Sequence, residues 1–479
     1  MIRRIIVLLC LVLGAQIPLS AEGLHQFPAA VQISSTISDG KYSLSEIVET
    51  AKENNFPIVI IAERDLMRWQ YGVWPLEGLV KKTVEERSLL KYGVGKYLRE
   101  LRELERKNPD IVIMAGVESA PFYYWQGSLW KGNLSLHDWH KHLLAVGLTR
   151  EADYLELPVV GNPRGLLLPW RRLPHLWYIL VPAAFCAVGA WLFFTRGAKT
   201  FGIAFWAIGS LLLLNNYPFR ELKFDQYQGE RGILPYQNFI DYVKARGGVT
   251  FWSHPEAKNS QRIGRVNVET PAHAYDLLMA KDYTGFAVFY EGYELIGRPG
   301  GLWDEVLQEY CRGVRLSPVW AIAGLSFDTG GDLGVAMKDL RTVFLLPSLG
   351  KAAVLEALKT GSMYVSRGRL SAQFSLDAFM IEDAQTGNKR LMGETLFSSG
   401  EIGIVLKGHF LNGQAAPFKI KLISNGKVIQ SFEARGPVFN VLFKAIADNK
   451  SRSYFRAEVE SPGLVCLTNP IFVSPIPGR

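Results

Sequence analysis

Ionisable side chains stand where several predicted β-strands of this sequence end. Each apolar run that predicts one of these strands ends at or just before an acidic residue or a histidine. These residues are Glu63, Glu118, His254, Glu291 and Asp328. Carboxylates and imidazoles can transfer protons and can bind divalent metal ions. In α/β barrels the carboxyl ends of the strands meet at one end of the barrel, where active sites lie. These residues therefore predict a site built from several strand ends.

The elements that would carry these residues alternate between strand and helix. Ser43 and Glu46 have the spacing of a capping box and are followed by a helical apolar pattern. Continuous apolar runs at 57–62 and 110–118 are typical of strands covered on both faces. Further on, the pattern predicts helices at 234–247, 271–282 and 301–313 and strands at 249–254, 285–291 and 319–326. This alternation predicts an α/β barrel or a doubly wound sheet.

The C-terminal part of the chain has a different pattern. Apolar and polar residues alternate with a period of two at 401–410, 418–434, 439–446 and 453–461. Asn425 and Gly426 form a strong hairpin-turn signal between two of these runs. No long helical pattern follows, so an all-β sandwich is predicted for residues 369–479.

Composition favours a membrane-associated protein over a nucleic-acid-binding one. The 479 residues are 48% hydrophobic and 20% charged, with a net charge of +8. A chain of this length predicts two or three domains. There is no dense run of Lys and Arg with interleaved aromatic residues, so no nucleic acid is expected as a partner. The moderate positive charge is better explained by attraction to anionic lipid headgroups.

The first 21 residues have the layout of a secretory signal. Arg3 and Arg4 precede an apolar run at 5–13, and the small residues Ser20 and Ala21 follow it. Leu19 is a poor residue for the position three before a cleavage site after Ala21. The segment is therefore interpreted as a signal peptide or an uncleaved N-terminal membrane anchor.

Two further apolar segments predict a transmembrane helical hairpin within residues 166–218. Residues 176–194 carry no charge and are about as long as a bilayer crossing requires. The second segment, at 201–217, has a shorter apolar run that ends at Leu214 and can recruit Tyr217, and only six residues separate it from the first segment. The alternative is a helical hairpin buried in a soluble core.

A hairpin returns the chain to the side it left, so both soluble parts share one compartment. The N-terminal arginines predict that this compartment is extracytoplasmic, either periplasmic or on the outer face. The charges around the hairpin point the other way. Its short loop holds Arg196 and Lys199, whereas the flanks hold Arg164, Arg171, Arg172, Arg220 and Lys223. The first segment is given more weight because early signals usually set orientation.

Six short segments, in order, resemble the motifs of the polymerase and histidinol phosphatase (PHP) superfamily. They are "QISSTISDG", "IAERD", "AGVES", "KHLLAVG", "WSHPE" and "GLSFD", spread over residues 30–345 apart from the hairpin. The segments "VLEALKTGSMYVSRG" and "YFRAEVE" also resemble the tail of secreted, sandwich-bearing members. The resemblance implies a distorted seven-stranded (βα) barrel, here interrupted by the hairpin. Active members of the family hydrolyse phosphoesters with two or three divalent metal ions.

The resemblance also implies where metal ligands would lie. Four family ligand positions keep their residue type, at Asp39, Glu118, His142 and His254. Five positions are changed, to Gln32, Ser34, Arg64, Ser326 and Asp328, of which Asp328 could still ligate. The chain therefore looks like a degenerate member of a membrane-anchored or secreted phosphoesterase-like branch.

Arg64 is the change with the largest physical consequence. A guanidinium is a permanent cation without a lone pair, so it cannot replace an imidazole ligand. We expect Arg64 to pair with Asp39 or Glu118 and the multinuclear cluster to be lost. One divalent ion, zinc or manganese, could still be held by Glu118, His142, His254 and Asp328.

Less specific interpretations of the same residues remain open. His254 precedes a proline and could be a hydrogen-bonded residue at a strand end. His142 lies near His137 and His140 and could belong to a solvated helix face. Asp39 and Glu118 could form a purely structural ion pair with Arg64.

The sequence therefore predicts a membrane protein in five parts. These are a signal or anchor at 1–21, barrel segments at 22–165 and 219–368, a hairpin at 166–218, and a sandwich at 369–479. The favoured function is a degenerate barrel that binds a small phosphorylated ligand or an envelope protein without hydrolysis. The alternative is a phosphoesterase with a single-ion site. In a third interpretation the sandwich docks envelope proteins or glycans while the barrel acts as a spacer.

Overall fold

A computed structural model describes residues 23–165, 177–195, 197–217, 223–327, 330–368 and 374–476 of the chain. The predicted signal peptide or anchor at 1–21 and the candidate ligand Asp328 lie outside these residues. The described residues form two hydrophobic cores, one inside and around a barrel and the other between two C-terminal sheets.

The elements of the described chain are numbered in chain order. The strands are β1 His25–Ile33, β2 Ile58–Arg64, β3 Arg68–Gly72, β4 Lys81–Glu85, β5 Val112–Ser119, β6 Tyr124–Gln126, β7 Ser135–His137, β8 Leu143–Val146, β9 Val249–Trp252, β10 Asn259–Ile263, β11 Val266–Thr270, β12 Gly285–Phe289, β13 Trp320–Phe327, β14 Leu340–Leu346, β15 Met363–Gly368, β16 Phe374–Asp383, β17 Lys389–Leu391, β18 Thr395–Phe397, β19 Glu401–Phe410, β20 Ala416–Ser424, β21 Lys427–Gly436, β22 Val438–Ile446, β23 Ser453–Ser461, β24 Leu464–Thr468 and β25 Ile471–Ser474. The helices are α1 Leu44–Glu53, α2 Leu89–Tyr92, α3 Val94–Lys107, α4 Glu151–Leu155, α5 Trp177–Thr195, α6 Lys199–Asn216, α7 Leu234–Lys244, α8 Asp276–Met279, α9 Leu302–Cys311, α10 Leu333–Asp339 and α11 Lys351–Thr360, with a π-helix at Tyr293–Gly297.

Seven strands close into a barrel in the order β1, β2, β5, β8, β9, β12 and β13. Closure is made by β13 pairing in parallel with β1, where Val31 lies opposite Gly324. The strand β8 runs antiparallel to both neighbours, β5 and β9, and the other pairs are parallel. The predicted seven-stranded barrel is confirmed, and the alternative of an open doubly wound sheet is wrong because the ends of the sheet pair.

Local sequence signals explain where the first helix begins. The Ser43 hydroxyl accepts from the Glu46 amide, and the Glu46 carboxylate accepts from the Ser43 amide, so the predicted capping box is present. The apolar side of α1, from Leu44 to Ala51, is buried in the barrel core.

The helix predicted at 271–282 is much shorter in the structure. Only Asp276–Met279 is helical. The preceding residues are used elsewhere, because the His273 amide donates to the Pro255 carbonyl at 2.9 Å, beside the loop that follows β9. This hydrogen bond ties the segment before α8 to the loop after β9.

The C-terminal region has two sheets packed on each other. One contains β17, β16, β19 and β22, and the other runs through β24, β23, β20 and β21. The turn at Asn425 and Gly426 has φ of 50° and 74°, as a tight hairpin with two left-handed residues requires. The second sheet continues through β15 and β14 to the barrel strand β1, so barrel and C-terminal sheets share one continuous sheet.

The helices α5 and α6 pack against each other and expose most of their apolar side chains. Their buried residues are Pro182, Gly189, Gly202 and Gly209, and the three glycines let the two backbones approach closely. A hairpin buried in a soluble core is therefore wrong. Among the described helices, α5 is long and apolar enough to cross a membrane. The less apolar α6 does not meet the same standard, so a transmembrane hairpin stays a prediction.

Candidate functional site

Arg64 lies at the centre of a charged cluster at the carboxyl end of β2. Its Nε donates to Asp39 Oδ2 at 2.8 Å, and its Nη1 lies 2.9 Å from Glu118 Oε1. The same Nη1 lies 2.9 Å from His142 Nδ1. The ion pairs expected from the sequence are therefore present, and one guanidinium holds two carboxylates and an imidazole together.

The strand register places the two main partners side by side. The strands β2 and β5 are parallel neighbours, and Arg64 is paired directly with Glu118 at their ends. Residues paired in this way project to the same face of a sheet. Asp39 reaches Arg64 from the loop between β1 and α1, while His142 precedes β8 and His254 follows β9.

Three possible ligand atoms converge beside the guanidinium. His142 Nδ1 lies 3.0 Å from His254 Nε2 and 3.2 Å from Glu118 Oε1, and His254 Nε2 lies 3.3 Å from the same oxygen. Ligands about 2.0–2.1 Å from a tetrahedral zinc ion are separated by roughly 3.3 Å. The three donors therefore have the chemistry and spacing for one ion, although Arg64 Nη1 stands within hydrogen-bond distance of two of them.

The electrostatics of the cluster fix its protonation. Burial alone would raise the pKa of Glu118, but the Arg64 charge and the hydrogen bond from His254 outweigh it and hold this pKa well below its usual range. Burial and the Arg64 charge hold the pKa of His142 well below its usual range. Since a guanidinium only donates, His142 Nδ1 is an acceptor. At neutral pH the cluster contains an ionised Glu118 and a neutral His142.

His140 also belongs to the cluster, although it was not among the ligands predicted from the sequence. The ligand nitrogens of His140, His142 and His254 lie within 4.8 Å of one another. Burial, His254 and Arg64 lower the pKa of His140 to about 4, so its ring is neutral at neutral pH. The signal in the sequence was the His-x-His spacing of 140 and 142, and the structure brings both side chains together at the turn before β8.

His142 and His254 are not surface residues. Their side chains are 3% and 4% exposed. His142 precedes the strand β8, so its assignment to a solvated helix face is wrong. His254 is a strand-end residue, as predicted, with a φ of 33° that a non-glycine residue rarely adopts. Such backbone strain is common where side chains must be aimed at a functional site.

Three of the changed family positions offer poor metal ligands. Gln32 forms a bulge in β1 with φ of 67°, and its buried amide has no hydrogen-bond partner among the described residues. The Ser34 hydroxyl donates to the Phe327 carbonyl at 3.3 Å. Ser326 is half-buried with φ of 46°. The position of Asp328 lies outside the described residues, so its part in the site stays a prediction.

Glu63 and Glu291 were predicted from their strand-end positions to belong to the site, but neither contacts Arg64 in the bonds described above. Glu63 is fully buried and accepts from the Ser35 amide and from the hydroxyls of Ser35 and Ser38. It therefore fixes the loop that presents Asp39. Burial raises the pKa of Glu63. Glu291 is exposed on the surface.

An open cavity of about 540 Å³ lies beside the Asp39 side of the cluster. It is lined by Ser38, Asp39, Glu85, Glu86, Arg87 and Lys91. The cavity thus carries basic and acidic side chains together. A small polar molecule could enter here and reach Asp39.

Comparison with known proteins gave no family model and no curated protein that matches the chain. Solved structures with some similarity include a two-domain protein from Bacteroides vulgatus containing a predicted PHP-like metal-dependent phosphoesterase, with 11% identity, a TM-score of 0.36 and 91% of each chain covered. Another is a putative metal-dependent phosphoesterase from Bifidobacterium adolescentis, with 14% identity and a TM-score of 0.27 over 62% of this chain and 87% of that one. At these TM-scores the similarity decides nothing, and membership of the PHP superfamily stays a prediction.

Proposed function

We propose that the protein is a membrane-anchored, extracytoplasmic barrel that binds a ligand or partner at its mouth and does not hydrolyse phosphoesters through a metal cluster. The observation that carries this proposal is the position of Arg64 Nη1, 2.9 Å from both Glu118 Oε1 and His142 Nδ1. A fixed organic cation there neutralises the acids that a cluster of ions would need.

The chemistry of the donors supports the loss of a multinuclear cluster. Several divalent ions close together require carboxylates and neutral imidazoles to offset their mutual repulsion. Among the described residues, Gln32, Ser34 and Ser326 offer only amide or hydroxyl groups, which are weak metal ligands. Arg64 adds a positive charge. These residues do not fit two or three ions.

The cavity supports a small polar ligand. Arg87 and Lys91 can bind a phosphate or carboxylate group, while Asp39, Glu85 and Glu86 can accept hydrogen bonds from hydroxyl or amino groups. The three acidic side chains of the cavity would repel an extended polyanion. A small molecule with one phosphate group can place the phosphate at the basic side chains and its hydroxyl or amino groups at the acidic ones.

The exposed helices support the membrane anchor. Leu180 and Phe194 on α5 are 62% and 81% exposed, and Phe201 on α6 is 69% exposed. An apolar surface of this kind is stable when lipid covers it. The basic residues before the first apolar segment support the extracytoplasmic side.

Metal analysis of the full chain purified in detergent without chelators tests the proposal. We expect fewer than two ions per chain and no cleavage of bis(p-nitrophenyl) phosphate above background. Arg64→His should increase bound metal, because it exchanges the cation for a ligand. The control Arg68→His changes an arginine paired with Glu85, outside the cluster. Two or more stoichiometric ions with turnover in the unchanged protein would contradict the proposal.

A phosphoesterase with one ion is the second candidate, favoured by the 3.0–3.3 Å separations among Glu118, His142 and His254. These three residues would hold the ion, with His140 beside them, after Arg64 has moved. The ion would supply a Lewis acid that activates water against a phosphate ester. His254→Ala should then remove both bound metal and turnover, whereas His409→Ala on the distant β19 should change neither. Unchanged activity in His254→Ala would exclude this candidate.

A further inference from the structure

The connection between β3 and β4 exposes large apolar side chains. Val73, Trp74, Leu79 and Val80 are 41%, 81%, 45% and 51% exposed. We call residues 73–80 the apolar tip. An exposed tryptophan together with several exposed aliphatic side chains marks a surface that contacts another apolar phase.

The apolar tip is attached to the end of α6. The backbone amides of Gly78 and Leu79 donate to Asn215 Oδ1 at 2.7 and 3.2 Å. A Cβ on Gly78 would lie 2.2 Å from the Asn215 carbonyl oxygen, so glycine permits this close approach. The neighbouring Asn216 donates to the Tyr178 carbonyl near the start of α5. The tip therefore lies against the barrel-side end of α6, which is itself bonded to the start of α5.

This attachment sets the depth of the tip relative to a bilayer. The barrel-side end of α5 carries Trp177 and Tyr178, which favour the headgroup zone. A segment bonded to the adjacent end of α6 must lie at about the same depth. Directly after the tip come Lys81 and Lys82, both exposed. Aromatic and aliphatic residues next to lysines are typical of surfaces that bind anionic lipid.

We propose that the apolar tip inserts into the interfacial zone of the bilayer as a second membrane contact, with Lys81 and Lys82 pairing with anionic headgroups. This inference rests on the proposed membrane anchoring through α5 and α6. The occupant of this surface is the lipid bilayer itself.

The second contact would fix the orientation of the barrel. The strand β4 leads from the tip to Glu85, which lines the cavity beside Asp39. Five strand residues span roughly 17 Å. The cavity would thus be held within about 17 Å of the headgroups. The tip and the α5–α6 pair would together restrict rotation of the barrel above the membrane.

Photolabelling of the full chain in vesicles tests this contact. A diazirine-bearing amino acid replaces Trp74 in one variant, Leu180 of α5 in a second and Ile446 in a third. Ile446 is the matched control, being 79% exposed but on the C-terminal sheet. In vesicles of phosphatidylcholine and phosphatidylglycerol we expect lipid adducts at positions 74 and 180, at least fivefold above position 446.

The outcomes separate the two proposals. Adducts at position 180 with position 74 at the level of position 446 would overturn the tip contact while leaving the anchor intact. No adducts at position 180 would overturn the anchor and the inference that rests on it. Stronger labelling at position 74 with phosphatidylglycerol than with phosphatidylcholine alone supports the role of Lys81 and Lys82, and equal labelling would overturn that role.

Discussion

At the scale of single residues, the chemistry of the barrel mouth depends on Arg64. An imidazole at this position could donate a lone pair to an ion, whereas the guanidinium provides a charge that no pH near neutrality removes. Its contacts with Asp39, Glu118 and His142 use both the charge and the N–H groups. The same residue therefore stabilises the buried acid, and under the proposed function it takes the place of a metal ion.

Removing the guanidinium should destabilise the protein, because the buried carboxylate of Glu118 loses its counter-charge. Glu118 has a side chain that is 5% exposed, so Arg64→Ala leaves a buried charge without its cation and should lower the free energy of unfolding by about 3 kcal/mol. The double variant Arg64→Ala with Glu118→Gln should lose less free energy of unfolding than the two single variants lose in sum. Urea unfolding of the single and double variants measures this coupling. Strictly additive effects would show that the pair contributes nothing specific.

Asp65, next to Arg64, should make stability depend on pH. Burial raises the pKa of Asp65 to about 7, even though Ser119 donates a hydrogen bond to it. The unfolded chain, with an ordinary pKa near 4, loses its proton first as the pH rises. The free energy of unfolding should therefore fall between about pH 4 and pH 7, by at most about 4 kcal/mol.

The Asp65→Asn variant tests this dependence. It has no proton to lose, so its free energy of unfolding should rise relative to that of the unchanged protein as the pH increases from about 4 to about 7. Urea unfolding at several pH values measures the difference. Parallel curves for the two proteins would contradict the raised pKa.

At the scale of elements, strand order brings distant residues to the cluster. The parallel pair β2 and β5 sets Arg64 beside Glu118, and the antiparallel β8 carries His142 into the same place from the opposite direction. The loop before α1 delivers Asp39 and is held by the buried Glu63 through Ser35 and Ser38. The site is thus assembled from strand ends and one braced loop.

The start of α1 should depend on its capping box. Ser43→Ala removes the side-chain bond to the Glu46 amide and should destabilise the helix by about 1 kcal/mol. Hydrogen exchange of the α1 amides should become about fivefold faster. Ser45→Ala, a change inside the same helix at an exposed position, is the control. Equal exchange in the two variants would show that tertiary packing alone holds this end.

At the scale of the whole molecule, the barrel and the C-terminal sheets form a continuous structure. The strands β14 and β15 join the two sheets, and Val343 and Tyr364 on them belong to the C-terminal core. Asn469, which follows β24, accepts from the Ala321 amide of the barrel strand β13 at 2.8 Å. The role of the C-terminal sheets as an independent docking module stays a prediction.

A buried ion pair also joins α9 to β23. Arg456 is fully buried and binds Asp304 through Nε at 2.7 Å and Nη2 at 2.8 Å, while the Tyr454 hydroxyl donates to the same carboxylate. Arg456→Ala should lower the free energy of unfolding by about 3–5 kcal/mol, because it leaves Asp304 buried and unpaired.

Urea unfolding of Arg456→Ala beside Arg435→Ala tests this expectation. Arg435 is exposed on β21, so its removal should change stability by less than about 0.5 kcal/mol. Similar stability of the two variants would mean that the buried pair does not hold the barrel and the C-terminal sheets together.

The sequence alone predicted the features that depend on neighbouring residues. The capping box of α1, the buried strands β2 and β5, and the turn at Asn425 and Gly426 are confirmed, because caps, periodicity and turn residues act within a few positions of the chain. The pairing of Arg64 with Asp39 and Glu118 was also predicted, through the motif order. The shortness of α8 was not predicted, since the segment before it is bonded to the distant loop after β9.

Only the tertiary structure decided which strands are neighbours and in which direction they run. Barrel closure between β1 and β13, the reversed direction of β8, and the entry of His140 into the cluster all depend on residues far apart in the chain. Periodicity reports which face of a strand is buried but not what covers it. Pairing over such distances is selected by the packing of the entire core, and for that reason no local pattern encodes it.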